Sequence, residues 1–125
     1  MAKFYLCGLC GNIVDLITNG GGQLSCCGKP MDELVANTVE ASLEKHLPHV
    51  TKTADAIHVQ VGSVAHPMAA EHHIDFIYVQ TQKGGQRVSL DVGAEPQADF
   101  SFTDTKPVAV YEYCNLHGLW KTELD

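Results

Sequence analysis

Apolar residues recur at every second position through much of this chain. Ile57, Val59 and Val61 alternate with His58 and Gln60. Ile74, Phe76 and Tyr78 alternate with Asp75 and Ile77. Val88, Leu90 and Val92 enclose Ser89 and Asp91, and Phe100 and Phe102 flank Ser101. Val108 and Val110 lead through Tyr111 and Tyr113 to Cys114. A period of two sends successive side chains to opposite faces, so each run reads as a half-buried strand. Turn residues at Lys83-Gly84-Gly85, Gly93-Ala94-Glu95-Pro96 and Asp104-Thr105-Lys106-Pro107 separate the runs. Short strands at this spacing predict an all-β domain over residues 37–125, a small sandwich. Only Thr38 to Lys45 has room for a helical turn or two.

Residues 1–36 follow another logic. They hold Cys7, Cys10, Cys26 and Cys27, with Gly20-Gly21-Gly22 between the cysteine pairs reading as a hairpin turn. A unit of under ~40 residues rarely folds on an apolar core alone and usually needs a metal or a partner. The expected organisation is therefore a metal-stapled unit at 1–36 and a β-sandwich at 37–125.

Composition narrows the function. The chain has 125 residues, 45% of them hydrophobic, with 15 acidic residues against 8 basic and a net charge of -7. Such a balance opposes nucleic-acid binding, because phosphates demand Lys and Arg. No apolar run approaches the ~20 residues of a membrane span. The start, Met1 to Cys7, lacks the apolar core of a signal peptide. A cytoplasmic, reducing compartment is expected. The chain carries 5 Cys and 7 His, and an odd cysteine count there argues for metal rather than a disulfide framework.

The first metal site is compact. Cys7-Gly8-Leu9-Cys10 is followed by Gly11, and sixteen residues after Cys10 come adjacent Cys26 and Cys27, then Gly28. A Cys-x-x-Cys turn lets two thiolates converge on one ion, and four thiolates suit zinc or iron. Ligand type alone leaves the two metals open, and a structural zinc ribbon remains the plain alternative. A redox disulfide at Cys7 and Cys10 is less favoured, because nothing around it reads as a βαβ unit. Consecutive ligands must splay to reach one ion, so a distorted tetrahedron is expected.

The second cluster is dispersed. Glu44-Lys45-His46-Leu47-Pro48, His66-Pro67-Met68, His72 and Cys114-Asn115-Leu116-His117-Gly118 each carry a candidate ligand. A lone His near a strand end is more often a surface residue. Cys114 and His117 stand at a spacing that suits a shared ion, against the alternative of a buried Cys beside an exposed His. Pro48 and Pro67 stiffen the loops that carry His46 and His66.

Taken together, the pieces resemble desulfoferrodoxin, the two-iron form of the superoxide reductase family. The resemblance spans nearly the whole chain. Its motifs run in family order: Cys7 to Asn12, the Cys26-Cys27 pair, Glu44 to Pro48, His66 to Met68, and Cys114 to Trp120. It implies a desulforedoxin-like domain binding a first iron through Cys7, Cys10, Cys26 and Cys27. It implies an immunoglobulin-like sandwich binding a second iron through a square plane of His46, His66, His72 and His117, with Cys114 as axial thiolate. The sixth position would be open in the ferrous state. The implied reaction is one-electron reduction of superoxide to hydrogen peroxide. An electron donor such as rubredoxin and a homodimer are implied as partners.

The chain departs from the family pattern at His73, where an aromatic is usual, and at Glu71, where Lys is frequent. His72 and His73 are rival ligands. The six-residue step from His66 favours His72. His49 and His58 match no family ligand and are assigned to the surface.

The chemistry suits iron. Four neutral imidazoles leave the ion its charge. On this resemblance the Cys114 thiolate would donate electron density to the iron and favour release of the peroxide product, and zinc has no redox chemistry to offer there. The N–H of Leu116 or His117 is the expected hydrogen-bond donor to the sulfur. Lys45 is the candidate for drawing in an anion against the net charge, and Glu44 for occupying the sixth position once iron is oxidised. Each has a solvated surface charge as its alternative. The rival functions are a rubredoxin-like electron carrier with a structural second metal site and a zinc-stapled interaction module. A dismutase, which must also oxidise superoxide, and a thiol peroxidase, which needs a free reactive Cys, fit less well.

Overall fold

The computed structural model describes residues 2–125. The chain divides into two compact units, one ending at Val35 and the other spanning Ala36–Asp125. No helix among the described residues is long and apolar enough to cross a membrane.

In the first unit, β1 (Phe4–Leu6) lies between β2 (Ile13–Asp15) and β5 (Asp32–Leu34), all antiparallel. A second ribbon pairs β3 (Ser25–Cys26) with β4 (Lys29–Pro30). Phe4 and Cys7 are the buried side chains among this unit's described residues. That is far too little apolar burial to hold a chain of this length. The hairpin expected at Gly20-Gly21-Gly22 is absent. Those residues belong to an irregular loop between β2 and β3, strands that do not pair. The real tight turn is Cys27-Gly28, with φ of 54° and 76°. Two successive positive φ values define the two-residue hairpin loop whose twist matches its strands. Asn-Gly is usual there, and here a cysteine occupies the strained corner.

The second unit is a sandwich of two antiparallel sheets. The smaller has the order β10 (Gln97–Ser101), β7 (Ala56–Val61), β6 (Pro48–Lys52). The larger has the order β12 (Gly118–Glu123), β11 (Pro107–Cys114), β8 (Ile74–Thr81), β9 (Gly84–Ser89). Ile57, Val59, Val61 and Phe100 from the first meet Ile74, Ile77, Val79, Val110 and Cys114 from the second in one apolar cluster. The alternation read for β8 needs correction. Ile77 and Val79 join Ile74 in the core, while Phe76 and Tyr78 are buried outside it. A register shift between Tyr113 and Cys114, opposite the start of β8, changes the parity. β9 ends at Ser89, so Leu90 and Val92 lie beyond it.

Pro48 pairs with Val61, and Cys114 pairs with Ile74. Four core strands thus begin or end at the same end of the sandwich. Single-turn helix α1 (Leu43–His46) precedes β6 there, overlapping the end of the stretch given room for a helical turn and running one residue past it. Loops 42–47, 62–73 and 115–117 gather at this end.

Candidate metal centres

The first centre brings together one sulfur each from Cys7, Cys10, Cys26 and Cys27, all within 4.8 Å of one another. The Cys7 knuckle closes locally: Gly11 N–H donates to the Cys7 carbonyl at 2.9 Å, and Cys10 N–H points at the Cys7 sulfur at 3.5 Å. Gly11 permits this with a φ of 82°. Sulfurs of Cys10 and Cys26 are 3.5 Å apart, and those of Cys26 and Cys27 are 3.9 Å apart. A metal–sulfur bond of about 2.3 Å gives about 3.8 Å between the corners of a regular tetrahedron. The donor set fits one tetrahedral ion, and the two spacings depart from regularity in opposite directions. Backbone N–H groups of Cys10 and Leu9 hold the Cys7 thiol down to about 6. Competition with Cys10, Cys26 and Cys7 pushes the Cys27 thiol up to about 12. Four sulfurs this close cannot all ionise without a cation, so metal uptake here displaces protons.

The second centre draws on loops 42–47, 62–73 and 115–117 and on the end of β11. One ligand atom each from His46, His72, Cys114 and His117 lies within 4.8 Å of the others. His66 joins through its Nε2, which is 3.2 Å from His46 Nε2. His46 Nε2 is also 3.1 Å from His117 Nδ1. A metal–nitrogen bond of about 2.1 Å puts adjacent corners of a square about 3.0 Å apart. The ring centroids have the same form. His46–His66, His66–His72, His72–His117 and His117–His46 are separated by 4.7, 4.6, 5.1 and 4.8 Å, each edge-on. The His46–His72 diagonal is 6.4 Å. The four imidazoles therefore form a quadrilateral in the order 46, 66, 72, 117, and a first-row metal fits its centre.

Each ring is aimed by its surroundings. His46 Nδ1–H donates to the Ser42 carbonyl at 2.7 Å, and His66 Nδ1–H donates to the Pro67 carbonyl at 2.7 Å. A carbonyl only accepts, so both Nε2 lone pairs are left for an ion. His72 is held by a tight turn in which it and Ala69 exchange backbone hydrogen bonds. Its Nε2 is buried without a hydrogen-bond partner, as a ligand atom would be. Burial holds the His66 imidazole down to about 4 and also lowers His46 and His72, which keeps these bases neutral. Trp120, itself buried, stacks on His46 at 5.1 Å and donates its Nε1–H to the His117 carbonyl at 3.1 Å.

Cys114 and Gly118 bracket a three-residue hairpin loop whose last residue is His117, and Gly118 closes it with a φ of 82°. That turn sets the Cys114 sulfur 3.8 Å from His117 Nδ1. Burial pushes the Cys114 thiol up, and backbone N–H groups of both Leu116 and His117 oppose that shift by hydrogen bonding to sulfur.

The rival His73 turns away. Its Nδ1–H donates to the carbonyls of Ala69 and Ala70 at 3.1 and 3.2 Å. His49 is exposed, and the half-exposed His58 pairs with Asp99 at 2.7 Å. Glu44 and Lys45 are both exposed on α1, beside the buried His46. The Lys45 charge lowers the pKa of both His46 and His72, after the larger effect of burial. Sequence reasoning missed Glu112. It sits two residues before Cys114, wholly buried, with neither carboxylate oxygen hydrogen-bonded. Burial holds its carboxyl well above the usual range, so it is a neutral acid.

Residues 38–123 match the desulfoferrodoxin family, and residues 1–34 match the desulfoferrodoxin N-terminal domain. The desulfoferrodoxin of Syntrophotalea carbinolica is 51% identical over 121 residues, covering 97% of this chain and 95% of that protein. The desulfoferrodoxin of Nitratidesulfovibrio vulgaris is 45% identical over the same shares. The crystal structure of the superoxide reductase from Treponema pallidum superposes with a TM-score of 0.82 at 34% identity, covering 98% of this chain and 99% of that one. With both of its units matched in order, the chain belongs to the desulfoferrodoxin family.

Proposed function

We propose that the chain is a superoxide reductase. The carrying observation is the imidazole quadrilateral with a thiolate beside it, a donor set that suits a redox-active iron and exceeds the four ligands of structural zinc. His46, His66, His72, His117 and Cys114 would hold that iron, and Cys7, Cys10, Cys26 and Cys27 would hold another. Residues 1–36 then form the four-cysteine domain and 37–125 the catalytic one. When bound, ferrous iron supplies one electron, which with two protons converts superoxide to hydrogen peroxide. The protein's part is to keep the imidazoles neutral, to orient them through Ser42 and Pro67, and to set the donor strength of sulfur through the Leu116 and His117 N–H groups. The family resemblance further supports a donor such as rubredoxin, a homodimer and a cytoplasmic location.

The test is the visible spectrum before and after mild oxidation, followed by a superoxide-consumption assay. Ferric–thiolate bands at the outset, a new longer-wavelength band on oxidation and stoichiometric peroxide are expected. A protein colourless throughout would overturn the iron assignment.

Lys45 and Glu44 separate by kinetics. An ammonium about 5 Å from an anion attracts it by roughly 1–3 kcal/mol, less in salt. Because Lys45 is exposed, the expected effect of Lys45→Ala is about tenfold slower superoxide capture at low ionic strength, shrinking as salt rises. Glu44→Ala should leave that capture rate unaltered, because its carboxylate acts on the oxidised centre. Pulse radiolysis of both variants across a salt series checks the pair.

The first iron is a relay or store. Cys10→Ser should remove its bands yet keep superoxide reduction within about twofold when an external reductant is supplied. A proportionate loss of activity would place the four-cysteine centre in turnover.

A further inference from the structure

Four ligand-bearing segments, two of them within loop 62–73, meet at the second centre, and they are clasped in two pairs. The Glu44 carbonyl accepts from Val64 N–H at 3.1 Å and from the Ser63 hydroxyl at 3.3 Å, joining the His46 loop to the His66 loop. The other pair is held by one side chain. Asn115 Oδ1 accepts from His73 N–H at 2.8 Å, and Asn115 Nδ2 donates to the Glu71 carbonyl at 3.1 Å. Its own backbone N–H donates to the His73 carbonyl at 3.2 Å. The amide thus grips the main chain on both sides of His72, while its backbone belongs to the turn between Cys114 and His117.

The geometry points to Asn115 as a positioning residue that fixes His72 against the Cys114 and His117 ligands and so sets how tightly the second iron is held. Besides Asn115, the loop before His72 is tied outward at Met68, whose carbonyl accepts from Gly93 N–H at 2.8 Å; the two bonds between Ala69 and His72 run within the loop. Apolar packing anchors the loop at Met68, which lies partly buried against the core, but Ala70 and Glu71, next to His72, are exposed. An amide is the right chemistry, because its oxygen and its NH2 are separate atoms that satisfy one N–H and one carbonyl at once, two residues apart. Groups that orient a metal ligand from behind contribute about 10–100-fold in metal affinity. The inference rests on the iron assignment made above for these residues.

The two irons of one chain give the experiment an internal reference. Asn115→Ala and the volume-preserving Asn115→Leu are loaded with iron and mixed with excess ferrous chelator, and release from each site is followed by its own band. Asn115 is exposed, so both variants keep the sandwich core. About tenfold faster release from the histidine–cysteine site is expected in both, with a shifted thiolate-to-ferric band on oxidation and an unchanged release rate from the four-cysteine site. Wild-type release and an unshifted band would overturn the role of Asn115. Faster release from both sites alike would overturn it too, since that reports general loosening. Activity is not the readout. A wild-type protein that binds both irons but consumes no superoxide would overturn the reductase reading and leave this test standing.

Discussion

Cys114→Ser is expected to reduce superoxide turnover by more than about 100-fold while leaving the four-cysteine bands in place. The argument starts from burial. Cys114 has no exposed surface, and it belongs to the apolar core cluster. A thiol buried in such surroundings stays protonated unless something nearby favours the anion. Two backbone N–H groups help, but burial remains the largest influence. The metal completes the stabilisation, so ion and thiolate depend on each other. A serine hydroxyl is far harder to ionise and donates less charge. The variant should therefore lose the longer-wavelength band that appears on oxidation, and peroxide release should fail with it. Oxidising the variant and recording its spectrum beside its superoxide assay checks both parts. A rate within a few fold of the parent would remove the sulfur from the coordination sphere.

Gly62→Ala carries the second large effect, at a residue with no functional group. Gly62 has a φ of 81°. A Cβ added there would lie 2.7 Å from the carbonyl oxygens of both Glu44 and Lys45, and would press on that of Val64. These atoms are backbone and cannot rotate aside. The left-handed conformation costs an alanine about 1–2 kcal/mol, and forced overpacking about 1–3 kcal/mol more. The sum lowers the melting temperature of this unit by about 10 °C or more. The displaced element is α1, which carries Glu44, Lys45 and His46. The variant should accordingly lose iron from the second centre and retain it at the first. Calorimetry together with metal analysis reads both, and full occupancy of both sites with an unchanged melting temperature would contradict the prediction.

Much of this was legible in the sequence because the ligands are chemically conspicuous and their spacing reflects local turns. Cys114 precedes and His117 ends one three-residue hairpin loop, so their separation along the chain encodes their separation in space. The choice of His72 over His73 also follows from local geometry, since adjacent residues of an extended segment face opposite ways. Other features needed the third dimension. A period of two says that two faces differ, and β8 is covered on both, so its pattern could not tell core from outer face. Glu112 stands in a run of apolar and aromatic residues, and nothing in its sequence position says that a carboxyl is enclosed. Three glycines in a row looked like the tightest turn of the first unit. Positive φ at Cys27 made the tight turn elsewhere, where a side chain normally rare in that conformation is drawn to its three partner sulfurs.

The thin interior of the first unit gives the protein a built-in expiry. With little beyond Phe4 and Cys7 enclosed, that segment has no folded form to fall back on once its ion is gone. Oxidation of its thiolates would turn some 35 residues into a loose tail, while the sandwich, with its own core, stays whole. A protease that cuts only unfolded chain would then trim molecules that have lost the first ion and spare those that keep it. The staple that organises the first unit therefore also exposes, to any machinery that reads disorder, whether that ion is still in place.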